Sequence, residues 1–307
     1  MGRTVTKTVL VSGASGFIGS HVADGLVEQG YRVRAMTRNP AEYTGAGEPV
    51  SGDVGDPASL RAAFQGVDAA YYLVHSLDSD DFEQRDAQAA RNFAEAAAAA
   101  HAERIIYLGG LGPDGRRLSP HLRSRREVEK ILQAGPVPVT VLRAAVVIGH
   151  GNISWEMTRE LAGRLPIMVT PRWVRTRTQP IALPDAVRYL IGVLEPAEAR
   201  GRVYEIGGPE VLRYLDMLQR AAAVMGKRLP NLTVPLLTPR LSSAWLRFVT
   251  DVDLATARNL VDSMATEVVV RDRSITSLLP GPTIGYDEAV RLALASQQRH
   301  DQVRPGR

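Results

Sequence analysis

Glycines recur at every third position in Gly13-Ala14-Ser15-Gly16-Phe17-Ile18-Gly19, between an apolar run and an amphipathic one. That spacing is suited to holding a phosphate. The first glycine permits a tight turn out of a strand, the second lets the main chain approach a pyrophosphate, and the third lets the next helix pack against the strand. The helix start adds free N–H groups and the positive end of its dipole. A bare glycine turn would carry the same letters, but the strand before and the helix after point to a dinucleotide. Its second end can be read at Thr37 and Arg38. NAD sites place an acid at the end of the second strand, and none occurs from Tyr31 to Pro40. The Arg38 guanidinium suits a 2′-phosphate through its fork of donors, with Arg34 a less direct contact. NADP(H) is therefore the expected cofactor, ahead of NAD(H).

Further along, His121 and Arg125 stand four residues apart, on one face of a helix. Arginine stays charged and cannot supply a proton. A histidine near a helix N-terminus and above an arginine is disfavoured as imidazolium, so a neutral ring able to donate one hydrogen bond is expected. Arg125 has a rival role as the ion-pair partner of Glu129, one turn on. His75, closing an apolar run, is a second candidate proton donor. His21, His101, His150 and His300 show no ligand spacing, so no metal is expected. No nucleophile elbow is present.

The elements that must position these groups alternate regularly. Strands are predicted at Thr8–Ser12, Tyr31–Thr37, Val50–Asp53, Ala69–Val74, Arg104–Leu108 and Val139–Ile148. Helices are predicted at Phe17–Gln29, after the Asp56-Pro57 cap, at Asp80–Ala100, and at Pro120–Leu132 behind Ser119. The alternation implies right-handed crossovers and a parallel sheet covered on both faces. The expected fold class is α/β: a Rossmann-type doubly wound parallel sheet with a smaller C-terminal α+β domain on the substrate side. Residues 1–150 form the dinucleotide domain, and 151–307 the smaller region, partly interwoven with it. In the latter, helices are expected at Asp185–Leu194 and Leu212–Met225, a strand at Val203–Ile206, and a frayed tail at Arg299–Arg307.

Composition bounds the rest. The chain has 307 residues, 45% hydrophobic and 23% charged, enough for a substantial core. It has no cysteine, which fits a reducing cytoplasm. Its formal charge of +4 comes mostly from arginine, since only Lys7, Lys130 and Lys227 are lysines. No basic run with interleaved aromatics suggests nucleic acid. The start is polar, and the most apolar stretch, Val139–Gly149, is too short to span a bilayer.

From Thr8 to Leu194 the chain resembles the short-chain dehydrogenase/reductase superfamily, especially its extended and atypical NmrA-like branches. The loop carries that likeness together with Gly52-Asp53, Tyr71-Tyr72-Leu73-Val74-His75, Tyr107-Leu108-Gly109-Gly110, Leu142-Arg143-Ala144-Ala145, and Gln179-Pro180-Ile181 with Asp185. It extends to bacterial NAD(P)-binding proteins related to the accessory Rossmann-type subunit of respiratory complex I. The resemblance implies that Gly13, Ser15, Gly16, Phe17, Ile18 and Gly19 hold the pyrophosphate, and that Asp53 with Val54 lies by the adenine. It implies that Leu73, Val74 and His75 line the ribose and nicotinamide side, with Leu108, Gly109 and Gly110 beneath the nicotinamide. Typical members carry Tyr-x-x-x-Lys on the helix after the fifth strand. Here His121-Leu122-Arg123-Ser124-Arg125 puts His121 at the tyrosine place and Arg125 at the lysine place. The usual serine is replaced around Gly109-Gly110, so the standard triad is missing.

The segment Asn152–Gln179 should overhang the cleft. Its Trp155, Met157, Met168 and Trp173, with Arg172, Arg175 and Arg177, would suit a flat or apolar substrate bearing an anionic group, or else pack the small domain. Three functions stay open. The first is an NADP-dependent oxidoreductase acting on a carbonyl or activated double bond of a small molecule. The second is a non-catalytic redox sensor or assembly factor with a protein partner. The third is a cofactor-retaining isomerase or lyase.

Overall fold

The computed structural model describes residues 6–76, 81–113, 118–165, 167–170, 172–233 and 263–303. Its frame is a seven-stranded sheet. Strands β1 (Thr8–Ser12), β2 (Arg32–Thr37), β3 (Glu48–Ser51), β4 (Ala69–Tyr72), β5 (Arg104–Gly110) and β6 (Val139–Ala144) are joined by a later strand, Val203–Ile206. From one edge the order is Val203–Ile206, β6, β5, β4, β1, β2, β3, and every pairing is parallel. The order reverses between β1 and β4, and a doubly wound sheet opens its ligand crevice at such a switch point.

Both faces are apolar, as a buried parallel sheet requires. Val9, Val11, Tyr71 and Ile106 point to one side. There they meet α1 (Phe17–Glu28) and the helix Leu183–Gly192 through Val22, Leu26, Tyr189 and Leu190. Leu10, Tyr72, Ile105 and Tyr107 point to the other. There they meet α2 (Pro57–Ala63), α3 (Phe82–Ala99) and α4 (Pro120–Gln133) through Leu60, Phe93, Val128 and Leu132. The alanine-rich face of α3 lets α4 lie close beside it. Asp56 caps α2 and Ser119 caps α4, as their positions predict.

Several boundaries differ from the sequence expectation. The third strand begins at Glu48 and includes Pro49, which an edge strand tolerates because its missing N–H leaves no ladder bond unmade. The predicted single strand 139–148 is two: β6 ends at Ala144, and Val147–Ile148 pairs with Ile181–Ala182 in a separate small sheet. The chain steps off the main sheet at Ala145-Val146. The helix expected from Leu212 begins at Tyr214, because Leu212 and Arg213 pair with Arg177–Thr178 first. The helix Tyr286–Val303 includes Arg299–Val303, expected to be frayed, while 304–307 lie outside the described residues.

A second core brings together Trp155, Met157, Leu161, Leu218, Tyr286 and Val290 from the helices Ile153–Arg164, Tyr214–Val224 and Tyr286–Val303. Among the described residues no helix is long and apolar enough to cross a membrane.

Candidate dinucleotide and substrate cleft

A cleft of about 860 Å³ runs along the carboxyl ends of β1, β2, β4, β5 and β6. Its floor is the glycine loop. Gly13 holds φ at +67°, a left-handed conformation that favours glycine, and so turns the chain out of β1. A side chain at Gly19 would place its Cβ 2.1 Å from the Gly13 carbonyl oxygen, so the helix reaches the loop only without one. Gly16, at φ −84°, has ordinary backbone, and its Cβ would stand 3.1 Å from the same oxygen. The start of α1 has no side-chain cap and no acid in its first turn. Its N–H groups are thus left for an anion from outside the chain. A loop into which side chains would intrude, below an uncapped helix start, fits a dinucleotide pyrophosphate.

The cleft gathers Gly13, Ser15, Gly16, Phe17, Ile18, Gly19, Arg38, Asp53, Val54, Leu73, Val74, His75, Leu108, Gly109, Gly110, His121 and Arg125, but not Arg34, whose guanidinium instead donates to the Gln65 carbonyl. Where the cleft passes the end of β2, Arg38 is exposed and makes no ion pair among the described residues. Sequence reasoning missed Glu42 on the same rim. It lies just past the Tyr31–Pro40 window, and the short turn Pro40–Glu42 folds it back, with Asn39 reaching it at 3.5 Å. Asp53 is tied into its own turn by the Gly55 N–H at 2.7 Å.

At the other end, the rival pairing of Arg125 with Glu129 is not formed. Glu129 is claimed by Arg143 on β6, whose Nε lies 3.0 Å away, and by Arg126 at 3.8 Å. Arg125 instead lines the cleft, and its carbonyl accepts the Tyr107 hydroxyl at 3.1 Å, pinning α4 to β5. A side chain at Gly110, near the usual serine's place, would come 2.9 Å from Leu122, so α4 occupies that space.

His75 and His121 face the same cleft from different elements, and a buried carboxylate ties those elements together. Asp86 on α3 accepts the Ser76 N–H at 2.9 Å and the Ser124 hydroxyl at 2.9 Å. Ser76 follows His75, and Ser124 sits between His121 and Arg125. Burial and then the Arg125 charge push the His121 imidazole down to about 3. Arg125 first, then burial and His121, hold the His75 imidazole well below its ordinary value. Both rings are therefore neutral at pH 7, as the helix-start argument expected for His121. A stability consequence follows by linkage. Between the ordinary value of 6.5 and about 3, the unfolded chain takes up a proton at position 121 and the folded chain does not. Stability should fall as the pH drops through that window, and His121→Gln should flatten the slope. Urea unfolding followed across the window measures it, and an unchanged slope in the variant would contradict the assignment.

Beyond the histidines the wall is apolar. Leu111, Leu122 and Val268 form a small cluster, joined on the lining by Met264, Ala145 and Val146, with Asn152, Ile153 and Ser154 above. Of the two roles open to the overhanging segment, packing of the small domain holds for its first tryptophan and methionine. Trp155 and Met157 are buried in the second core, because the helix that carries them turns that face toward Tyr214–Val224. Arg175 is exposed and off the cleft, and Arg177 is paired with Glu267 at 2.8 Å. The side chains of Met168, Arg172 and Trp173 lie outside the described residues. His150 and His300, far apart in sequence, pack 5.4 Å apart beside Glu156, yet no metal-binding group of three occurs among the described residues.

Comparison with known proteins agrees with this geometry. Residues 13–161 match the model of an NAD(P)H-binding family. The chain is 28% identical over 232 residues to a (4-alkanoyl-5-oxo-2,5-dihydrofuran-3-yl)methyl phosphate reductase of Streptomyces griseus, covering 72% of this chain and 75% of that one. It is 22% identical to the photosystem II assembly factor Ycf39 of Cyanophora paradoxa, covering 75% and 72%. Its fold superposes on an NADPH-dependent quinone oxidoreductase of Escherichia coli, solved with NADPH. The TM-score is 0.74 at 23% identity, over 93% of this chain and 99% of the other. With its loop, its sheet order and the match over residues 13–161, the chain carries an NAD(P)H-binding domain of Rossmann type and is similar to atypical short-chain dehydrogenase/reductases.

Proposed function

We propose that this protein is an NADP(H)-dependent oxidoreductase acting on a carbonyl or activated double bond of a small, largely apolar molecule. The observation that carries this reading is the continuity of one cleft, from the glycine loop past His121 and Arg125 into an apolar recess. Residues 1–150 supply the cofactor half, and 151–307 close the substrate side. Gly13, Ser15, Gly16, Phe17, Ile18 and Gly19 hold the pyrophosphate, Asp53 and Val54 the adenine side, and Leu73, Val74 and Leu108–Gly110 the nicotinamide side. When bound, the dinucleotide supplies a hydride. His121 donates a hydrogen bond to the substrate oxygen. Arg125 supplies fixed positive charge beside it and a hold on the cofactor ribose, and His75 backs the same corner. A reducing compartment such as the cytoplasm suits a chain without cysteine.

Arg38 sets the preference for NADP(H). The exposed guanidinium has no acid paired to it among the described residues, so a 2′-phosphate meets an available fork of donors. Fluorescence titration should give tighter binding for NADPH than for NADH, and Arg38→Glu should cost NADPH about 1.5–3 kcal/mol. Equal affinities in the wild-type protein would overturn the preference. NADPH oxidation against a panel of carbonyl and enone compounds tests the activity itself.

The likeness to a photosystem II assembly factor favours a second reading, in which the dinucleotide gates a protein contact. That reading predicts NADPH-dependent capture of a protein partner and no consumption of NADPH.

A further inference from the structure

A dissociable proton is hard to find on the substrate side of the cleft. The tyrosines on its lining are engaged or sealed: Tyr43 donates to the Ala46 carbonyl at 2.8 Å, and Tyr72 and Tyr214 are buried in the two cores. Burial raises the hydroxyls of both Tyr72 and Tyr214 well above the ordinary phenol range. The two imidazoles are neutral. The carboxylates around α4 are also committed, Asp86 to Ser76 and Ser124, and Glu129 to Arg143 and Arg126. What faces the recess is a permanent cation, Arg125, with no ion pair among the described residues, and His121 as a neutral hydrogen-bonding ring. The lining beside them is apolar at Leu111, Leu122, Val268 and Met264.

Such a corner stabilises negative charge on oxygen without neutralising it by proton transfer. An isolated ketone or aldehyde leaves a localised alkoxide on reduction, which needs a proton in the same event. A conjugated carbonyl compound spreads the charge over its π-system and leaves an enolate- or phenolate-type oxygen. That anion persists beside a guanidinium and takes its proton from water later. The apolar lining completes the match.

We infer that the recess bounded by His121, Arg125, Leu122, Val268 and Met264 is an oxyanion site for planar conjugated carbonyl compounds. It holds the anionic oxygen against Arg125 and His121 and the ring against the apolar wall. This rests on the proposed oxidoreductase reading and narrows its substrate to enones and quinone-like molecules rather than isolated ketones, aldehydes or carboxylates.

The probe is 4-nitrophenol, whose anion is yellow and whose neutral form is not, titrated with pH in the presence of saturating protein with and without NADP⁺. Bound 4-nitrophenol should ionise about one unit or more below its free value, the shift expected from a cation within contact distance. Arg125→Met, checked for folding by its thermal melt, should abolish that shift, and His121→Gln should reduce it. An unshifted or raised value, no binding up to the probe's solubility limit, or a shift that survives Arg125→Met would each overturn the inference. Tighter binding of 4-nitrobenzoate than of the phenolate would do the same by reassigning the corner to carboxylates. NADPH affinity, read in parallel by its fluorescence, separates the two conclusions. Loss of NADPH binding in the wild-type protein would remove the oxidoreductase reading, whereas intact NADPH binding without a phenol shift would remove only the oxyanion site.

Discussion

A valine in place of Gly16 is expected to abolish NADPH binding while the protein stays folded. The backbone there, at φ −84°, accepts any residue, and the new Cβ would sit 3.1 Å from the Gly13 oxygen, which needs a shift of only a few tenths of an ångström. The rest of the side chain would stand in the cleft, where the loop and the uncapped start of α1 offer their N–H groups. Losing two charge-assisted contacts to phosphate costs about 3–6 kcal/mol, which is roughly a hundredfold or more in affinity. Gly19→Val is the instructive contrast. Its Cβ would fall 2.1 Å from the Gly13 oxygen, so that variant should lose thermal stability together with cofactor. Fluorescence titration of NADPH alongside a thermal melt distinguishes the two, and normal NADPH binding by a folded Gly16→Val protein would displace the pyrophosphate from this loop.

His121→Ala should lower turnover by about 10²–10³-fold, the usual cost of removing one hydrogen-bond donor from a developing oxyanion. NADPH affinity should change little, because in the proposed reading the ring meets the substrate and not the cofactor. The imidazole is pushed down to about 3, so no inflection from it should appear in the rate near neutral pH. That flatness separates a neutral donor from an ordinary general acid, whose ionisation would show as a limb of the profile. The measurement is the kcat of NADPH oxidation on any compound found to turn over, for the wild type and the variant, as a function of pH. Turnover indifferent to the substitution would move the role to His75, the second neutral ring on the same wall.

Much of the cofactor half was legible from local sequence. Gly13, Gly16 and Gly19 answer to backbone demands within seven residues, namely a left-handed turn, open space and a close approach. Those demands are met or missed locally, whatever the rest of the chain does. The strand and helix alternation was legible for a similar reason. A strand buried on both faces reads as an apolar run, and Asp56 and Ser119 mark their helix starts by side-chain chemistry that reaches only two or three residues.

The rest of the cleft was decided by tertiary structure. The sequence offered Arg125 a partner one turn away in Glu129, but the sheet brings Arg143 to Glu129 from β6, and that contact releases Arg125 into the cleft. Trp155 and Met157 could have faced a ligand or a core, and only the placement of the helix Tyr214–Val224 sent them inward. Glu42 reaches the same rim as Arg38 through the short turn that follows β2. The last strand of the sheet came from Val203–Ile206, some sixty residues past its neighbour β6. Local sequence determined the phosphate loop and the strands that carry it, because turns, caps and periodicity are short-range. The choice of ion-pair partner, the direction each apolar side chain takes and the meeting of His75 with His121 depend on distances between segments far apart in the chain, which only the packed sheet and helices set.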